Sequence, residues 1–232
     1  MTIYDALRNI HVGIGAVALT SFWVVAVLRK GTRLHRRLGD VYLLAMLGIL
    51  LTATPMAAVA FVRGKSVFGT FLVYLVLVTG TAAWLAFRAI RRRGSIDSYL
   101  ATPYRPVAWL NMGAGVAVLL LGAAQGKGLL VGMSVIGLLL GYRMLALDVQ
   151  DGADRNWWLK RHYTGIIGSS AAMHIAFLNL GMRHLMPASR SEKLEYLWWF
   201  GPVLVSAAVV IYLNRRFAGV ARLGKRSDEV PA

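Results

Sequence analysis

A chain of 232 residues that is 57% hydrophobic and only 16% charged is too apolar to keep a water-soluble surface around its core. The absence of cysteine excludes disulfides, thiolate zinc sites, iron–sulfur clusters and covalently attached c-type haem, so a metal or cofactor must be held by His, carboxylate, Met, Asn or Tyr. A formal charge of +16 would suggest nucleic acid in a soluble protein. Here the basic residues stand in short clusters between apolar runs, as the positive-inside rule requires, and no nucleic-acid partner is expected.

The apolar runs fall at 9–28, 41–62, 67–87, 106–124, 128–147, 163–182 and 195–213. Each is near the ~20 residues that cross a ~30 Å hydrocarbon core. They predict an all-α, polytopic transmembrane helical bundle of about seven spans, forming one domain over 1–216, followed by a basic cytoplasmic tail over 217–232 that lies disordered along anionic lipid headgroups. Open sheets would leave edges that lipid cannot satisfy, and the runs lack the alternation of a membrane barrel. The first run, with Asp5 and Arg8 at its start and a strongly basic far end, reads as a retained helix rather than a cleaved signal.

The first connection, Arg29 to Tyr42, is a dense basic turn that also carries His35 and Asp40. Further basic clusters follow the third run (Arg88, Arg91, Arg92, Arg93, Arg105), the fifth (Arg143, Arg155, Lys160, Arg161) and the seventh (Arg215, Arg216, Arg222, Lys225, Arg226). Most of the 26 Lys and Arg therefore fall on one side, which puts the N-terminus outside and the C-terminus in the cytoplasm. Pro55 in the second run, beside Thr52 and Thr54, predicts a kink whose freed carbonyl is met by a hydroxyl or water. Gly113, Gly115 and Gly122 in the fourth run, and Gly128, Gly132, Gly137 and Gly141 in the fifth, have the spacing of close helix packing. Trp157, Trp158, Trp198 and Trp199 read as interface anchors.

Five histidines carry the candidate chemistry. His35 and His162 lie at the cytoplasmic boundary with Asp40 and Asp148 close in depth, a set of imidazoles and carboxylates suited to a divalent transition metal such as zinc, iron or manganese. The competing reading pairs the acids with neighbouring arginines at a wet interface. Nearer the outside, His11 and His174 are candidate ligands of a b-type haem between the first and sixth runs. Gly15, Ser170 and Ala171 would leave room for the macrocycle. Against this, His174 could simply hydrogen-bond Asn179, Ser170 or another helix. By helical rise it lies ~18 Å from His162, so those two cannot share a metal. Arg143 either snorkels to the cytoplasm or clamps an anion: a haem propionate, a quinone oxygen or a lipid phosphate. Asn111 and Tyr142 are neutral donors that could orient a ligand or join helices.

His11 with Gly15, Lys30-Gly31, and His35-Arg36 with Gly39 and Tyr42 resemble the signature of a domain-of-unknown-function family of bacterial polytopic inner-membrane proteins. Trp157 or Trp158 followed by His162 and a helix of small residues is similar to that family's C-terminal block. The resemblance implies a bacterial cytoplasmic membrane, several spans, and His11, His35 and His162 as the shared histidines, with no assigned reaction. Ile166 departs from it, standing where the pattern has Met.

Together these features predict an integral membrane protein that binds haem b or a transition metal through membrane-level histidines for a redox role. The alternatives are a small proton-coupled transporter or permease, and an accessory subunit, alone or as a homo-oligomer, of a larger membrane complex. Whether the chain is an enzyme stays open at this point. No triad, phosphate loop or dinucleotide fingerprint is present.

Overall fold

The computed structural model describes residues 3–146, 156–181 and 192–228. Its elements are α1 (Ile3–Val27), α2 (Arg33–Val62), α3 (Ser66–Arg91), a short α4 (Ile96–Leu100), α5 (Tyr104–Ala124), α6 (Gly128–Leu145), α7 (Trp157–Ala176) running into a π turn (Phe177–Gly181), and α8 (Glu192–Asp228). No strand occurs among the described residues.

The basic turn is built by three consecutive residues. The Lys30 ammonium donates at 2.8 Å to both the Val25 and Ala26 carbonyls, covering the exposed carbonyl end of α1. Gly31 takes φ +80°, the left-handed conformation that reverses the chain. Thr32 then caps α2, its hydroxyl accepting the His35 amide at 3.2 Å. Burial against the helix end pulls Lys30 below the ordinary lysine pKa.

α3 is the central helix. It packs against α2 and α7 on one side and α5 and α6 on the other; α1 pairs with α2, α5 with α6, and α8 lies along α7. One core cluster gathers Leu85, Tyr99, Tyr104, Met144 and Trp157, and so brings the ends of α3 and α6 and the starts of α5 and α7 to one end of the bundle. Tyr163 stacks on Phe217 and donates to Asn214, fixing α8 to that same end. The ends of α3 and α6 and the starts of α5 and α7, with residues 214–217 of α8, are therefore gathered at one end of the bundle.

Six helices are long and apolar enough to cross a membrane: α1, α2, α3, α5, α6 and Glu195–Phe217 of α8. A multi-pass membrane protein is built this way. α7, which covers most of the sixth apolar run, is not among the six. Its Gly165, Ser169, Ser170 and Ala171 are buried against other helices, and a helix shielded in this way can be more polar than one facing lipid.

Four expectations need correction. The tail does not leave the helix at Phe217, since α8 continues to Asp228. Trp157 and Trp198 are each only 7% exposed and belong to the core rather than to an interfacial belt. α2 runs through Pro55, and the Thr52 and Thr54 hydroxyls bond the Gly48, Ile49 and Leu50 carbonyls rather than the Leu51 carbonyl that proline frees. An α4 between α3 and α5 was not expected; it is held by Arg88, which donates from Nε to the Tyr99 carbonyl at 2.6 Å and from Nη2 to the Ser98 and Ala101 carbonyls.

The glycine spacing serves close packing at Gly115, Gly122, Gly137 and Gly141 but not at Gly113, where a Cβ would meet nothing, and Gly165, outside that spacing, packs closely as well. A Cβ on Gly165 would lie 2.6 Å from the Ala82 carbonyl oxygen and 2.8 Å from the Ala86 Cβ, so α7 touches the α3 backbone there. Gly165→Ala is expected to lower the detergent unfolding midpoint by the equivalent of ~1–3 kcal/mol, because neither backbone can yield. Gly168→Ala, whose Cβ would meet only Ala82 at 3.7 Å, should leave the midpoint unchanged. Equal midpoints for the two variants would contradict this packing.

Candidate functional site

The four candidate histidines separate into two kinds according to what their second ring nitrogen meets. His174 Nδ1 lies 2.8 Å from the Ser170 carbonyl, which can only accept, so Nδ1 carries the proton. Nε2 is then a lone pair, and it accepts the Trp23 indole N–H at 3.1 Å, with Phe22 edge-on at 5.5 Å between ring centres. Both nitrogens are used, Nδ1 within α7 and Nε2 in joining α7 to α1.

His11 Nδ1 lies 2.7 Å from the Thr52 hydroxyl, which gives its own proton to the Gly48 or Ile49 carbonyl and so accepts from the imidazole. This bond ties α1 to α2. Trp23, the partner of His174, stands twelve residues further along α1, ~18 Å by helical rise. The structure does not bring His11 and His174 onto one haem. Arg143 is exposed on α6, which packs chiefly against α5 with smaller contacts on α3 and α8, and it joins neither histidine.

His35 and His162 behave differently. His162 Nδ1 donates to the Ala86 carbonyl of α3 at 3.2 Å, leaving Nε2 as a lone pair. His35, in the first turn of α2, turns its ring toward the Val25 carbonyl of α1, and its Nδ1 is buried with no hydrogen-bond partner. The two rings lie within electrostatic reach of each other. A packed interior normally satisfies such an atom, and leaving it bare costs ~1–3 kcal/mol.

Asp40, expected beside this pair, is not assembled with it. Asp40 is exposed, and five residues from His35 is ~140° around the helix. It makes no ion pair among the described residues, so the arginine-paired reading does not describe it either. Asp148 lies outside the described residues. Among those described, no group of three or more His, Asp or Glu could hold a metal ion. His162 has the usual orientation of a ligating histidine, its other nitrogen fixed by a backbone carbonyl.

The structural roles of Lys30 and Arg88 escaped the sequence reading, which counted Arg88 only as topological charge and Lys30 as that and as part of the Lys30-Gly31 motif. Lys30 lies within electrostatic reach of His35. Arg88 is 8% exposed, sits 5.0 Å over the Trp84 ring, and is compensated by three carbonyl dipoles of α4. The signal available was Trp84 one turn before it, which makes a facing pair on a helix. Asn111 serves helix joining: it is fully buried and donates to Thr81 Oγ1 at 2.9 Å and to the Val107 carbonyl at 2.8 Å.

The assignment of His174 to structure is testable by a double-mutant cycle. Trp23→Phe and His174→Phe should each destabilise, with a coupling energy near 0.6 kcal/mol and no more than ~1.7 kcal/mol, the range of hydrogen bonds between membrane helices. Strict additivity would mean that the bond does not form.

No protein-family model matches the chain, and no curated protein and no solved structure shows significant similarity to it.

Proposed function

We propose that the protein is a seven-span protein of a bacterial cytoplasmic membrane, N-terminus outside, whose working centre is the His35–His162 pair at the basic end, binding a transition-metal ion for a redox role. The observation that carries this reading is the buried, unpartnered Nδ1 of His35 within electrostatic reach of a second imidazole that is itself oriented by a backbone carbonyl.

Two neutral imidazoles suit iron, copper, nickel or zinc, and of these iron and copper exchange electrons. A b-type haem on His11 and His174 is less well supported, since it would have to break the Trp23–His174 bond. The topology rests on the gathering of basic helix ends at one end of the bundle. α7 with its π turn, ~37 Å by helical rise, supplies the seventh crossing. The bacterial location rests on the family resemblance of the motif around His35.

Purified protein supplemented separately with iron, copper and zinc should retain about one ion per chain of a preferred metal. His35→Ala and His162→Ala should each weaken that retention by at least ~10-fold, while His11→Ala and His174→Ala should not. Metal-free wild-type protein, or equal retention in all four variants, would overturn the reading. A b-type band on dithionite reduction that is lost in His174→Ala would transfer the site to the outer histidines.

A further inference from the structure

We propose that the basic end of the α5–α6 hairpin binds the phosphate of an anionic phospholipid headgroup. This site is separate from the histidine pair and does not depend on it.

α5 and α6 make a very close contact. A Cβ on Gly141 would lie 2.6 Å from the Ala108 carbonyl oxygen and 3.0 Å from the Met112 amide, so Ala108 and Gly141 are level. Trp109 and Tyr142 each follow their contact residue by one position, 100° around the helix. Equal turns on antiparallel helices bring them to the same side of the pair. Both are open to the surroundings, Trp109 62% and Tyr142 61% exposed. Two aromatic side chains with polar tips, at one depth and on one outward side, are the arrangement by which spans anchor at the headgroup level.

The charges stand at that level too. Arg105 precedes Trp109 by one turn on the same face of α5, near its first residue, and Arg143 follows Tyr142 near the last residue of α6. Both arginines are exposed, and neither has an ion pair or an aromatic partner among the described residues. This contrasts with Arg88 at the same end, which is wholly engaged by carbonyls. Arg105 on the face of Trp109, with Arg143 at the same depth at the end of α6, both without a partner among the described residues, match a lipid phosphodiester: guanidinium forks bind phosphate oxygens in pairs, and the rings lie against the glycerol and upper acyl region. A diffuse basic surface would need no such aromatic pair.

The test uses the full-length protein in phosphatidylcholine nanodiscs containing spin-labelled phosphatidylglycerol or spin-labelled phosphatidylcholine, reading the immobilised fraction of each. Wild type should prefer phosphatidylglycerol. Arg105→Gln with Arg143→Gln should lower that preference by roughly five-fold per arginine, and the Arg→Lys pair should keep most of it. An unchanged unfolding midpoint will show that the double variant is folded; if it is not, Tyr142→Ala is the substitute and should also lower the preference. The proposal is overturned if the Gln variant matches wild type, if Arg36→Gln with Arg37→Gln costs as much, or if millimolar inorganic phosphate displaces the labelled lipid, which would make the site one for free phosphate.

Discussion

The close approach of α7 to α3 at Gly165 is the contact on which the rest of the bundle depends. With no side chain between them, the α7 backbone lies against the Ala82 carbonyl and Ala86, and this brings the His162 imidazole to the Ala86 carbonyl. The same approach lets α7 be screened on several sides, by α3, α8 and α1, so that a helix carrying serines and two histidines can sit inside an apolar assembly. Its polar groups are satisfied in place. Ser169 donates to the Ile166 carbonyl at 3.0 Å and meets the Tyr42 hydroxyl at 2.8 Å, tying α7 to α2. Where water is scarce, each such bond replaces one that lipid cannot supply.

The α5–α6 hairpin solves the same problem with a different residue. The Tyr74 hydroxyl of α3 reaches α6, accepting the Gly137 amide at 2.8 Å and donating to the Met133 carbonyl at 2.8 Å. A Cβ on Gly137 would lie 2.9 Å from that hydroxyl, so glycine is what admits it. Glycine on α6 and α7 thus opens the backbone to polar side chains as well as bringing helices together. Asn111, close by on α5, extends the set by bonding Thr81 of α3.

Much of this was legible in the sequence. Run length and basic clustering located seven helical segments, because hydrocarbon thickness and charge at the membrane face act on a chain locally. The glycine spacing anticipated close packing, as Gly115, Gly137 and Gly141 bear out. What was not legible depended on contacts between distant segments. Trp157 looks like an anchor until Tyr99 is found at 5.0 Å between ring centres. Arg88 looks like boundary charge until α4 folds over it. His11 and His174 share a plausible depth by counting residues, yet their partners are set by how α2 and α7 cross α1, which no spacing within one helix encodes. His35 and His162 come within electrostatic reach because both lie near the starts of their helices, a feature that position along the chain does carry.

The histidines also show why residue type alone could not assign roles. In a membrane interior a neutral imidazole has one donor and one acceptor to place. His174 places both, with Ser170 and Trp23, and gains as a connector what a ligand would have to displace. His35 leaves a buried nitrogen bare although it stands in a turn rich in polar groups, with the Thr32 hydroxyl already committed to its own amide and Lys30 to the end of α1. Domains are stable by only ~5–15 kcal/mol, so an uncompensated cost of ~1–3 kcal/mol is a sizeable fraction of the whole. Under the proposed function, a ligand on His35 would remove that cost.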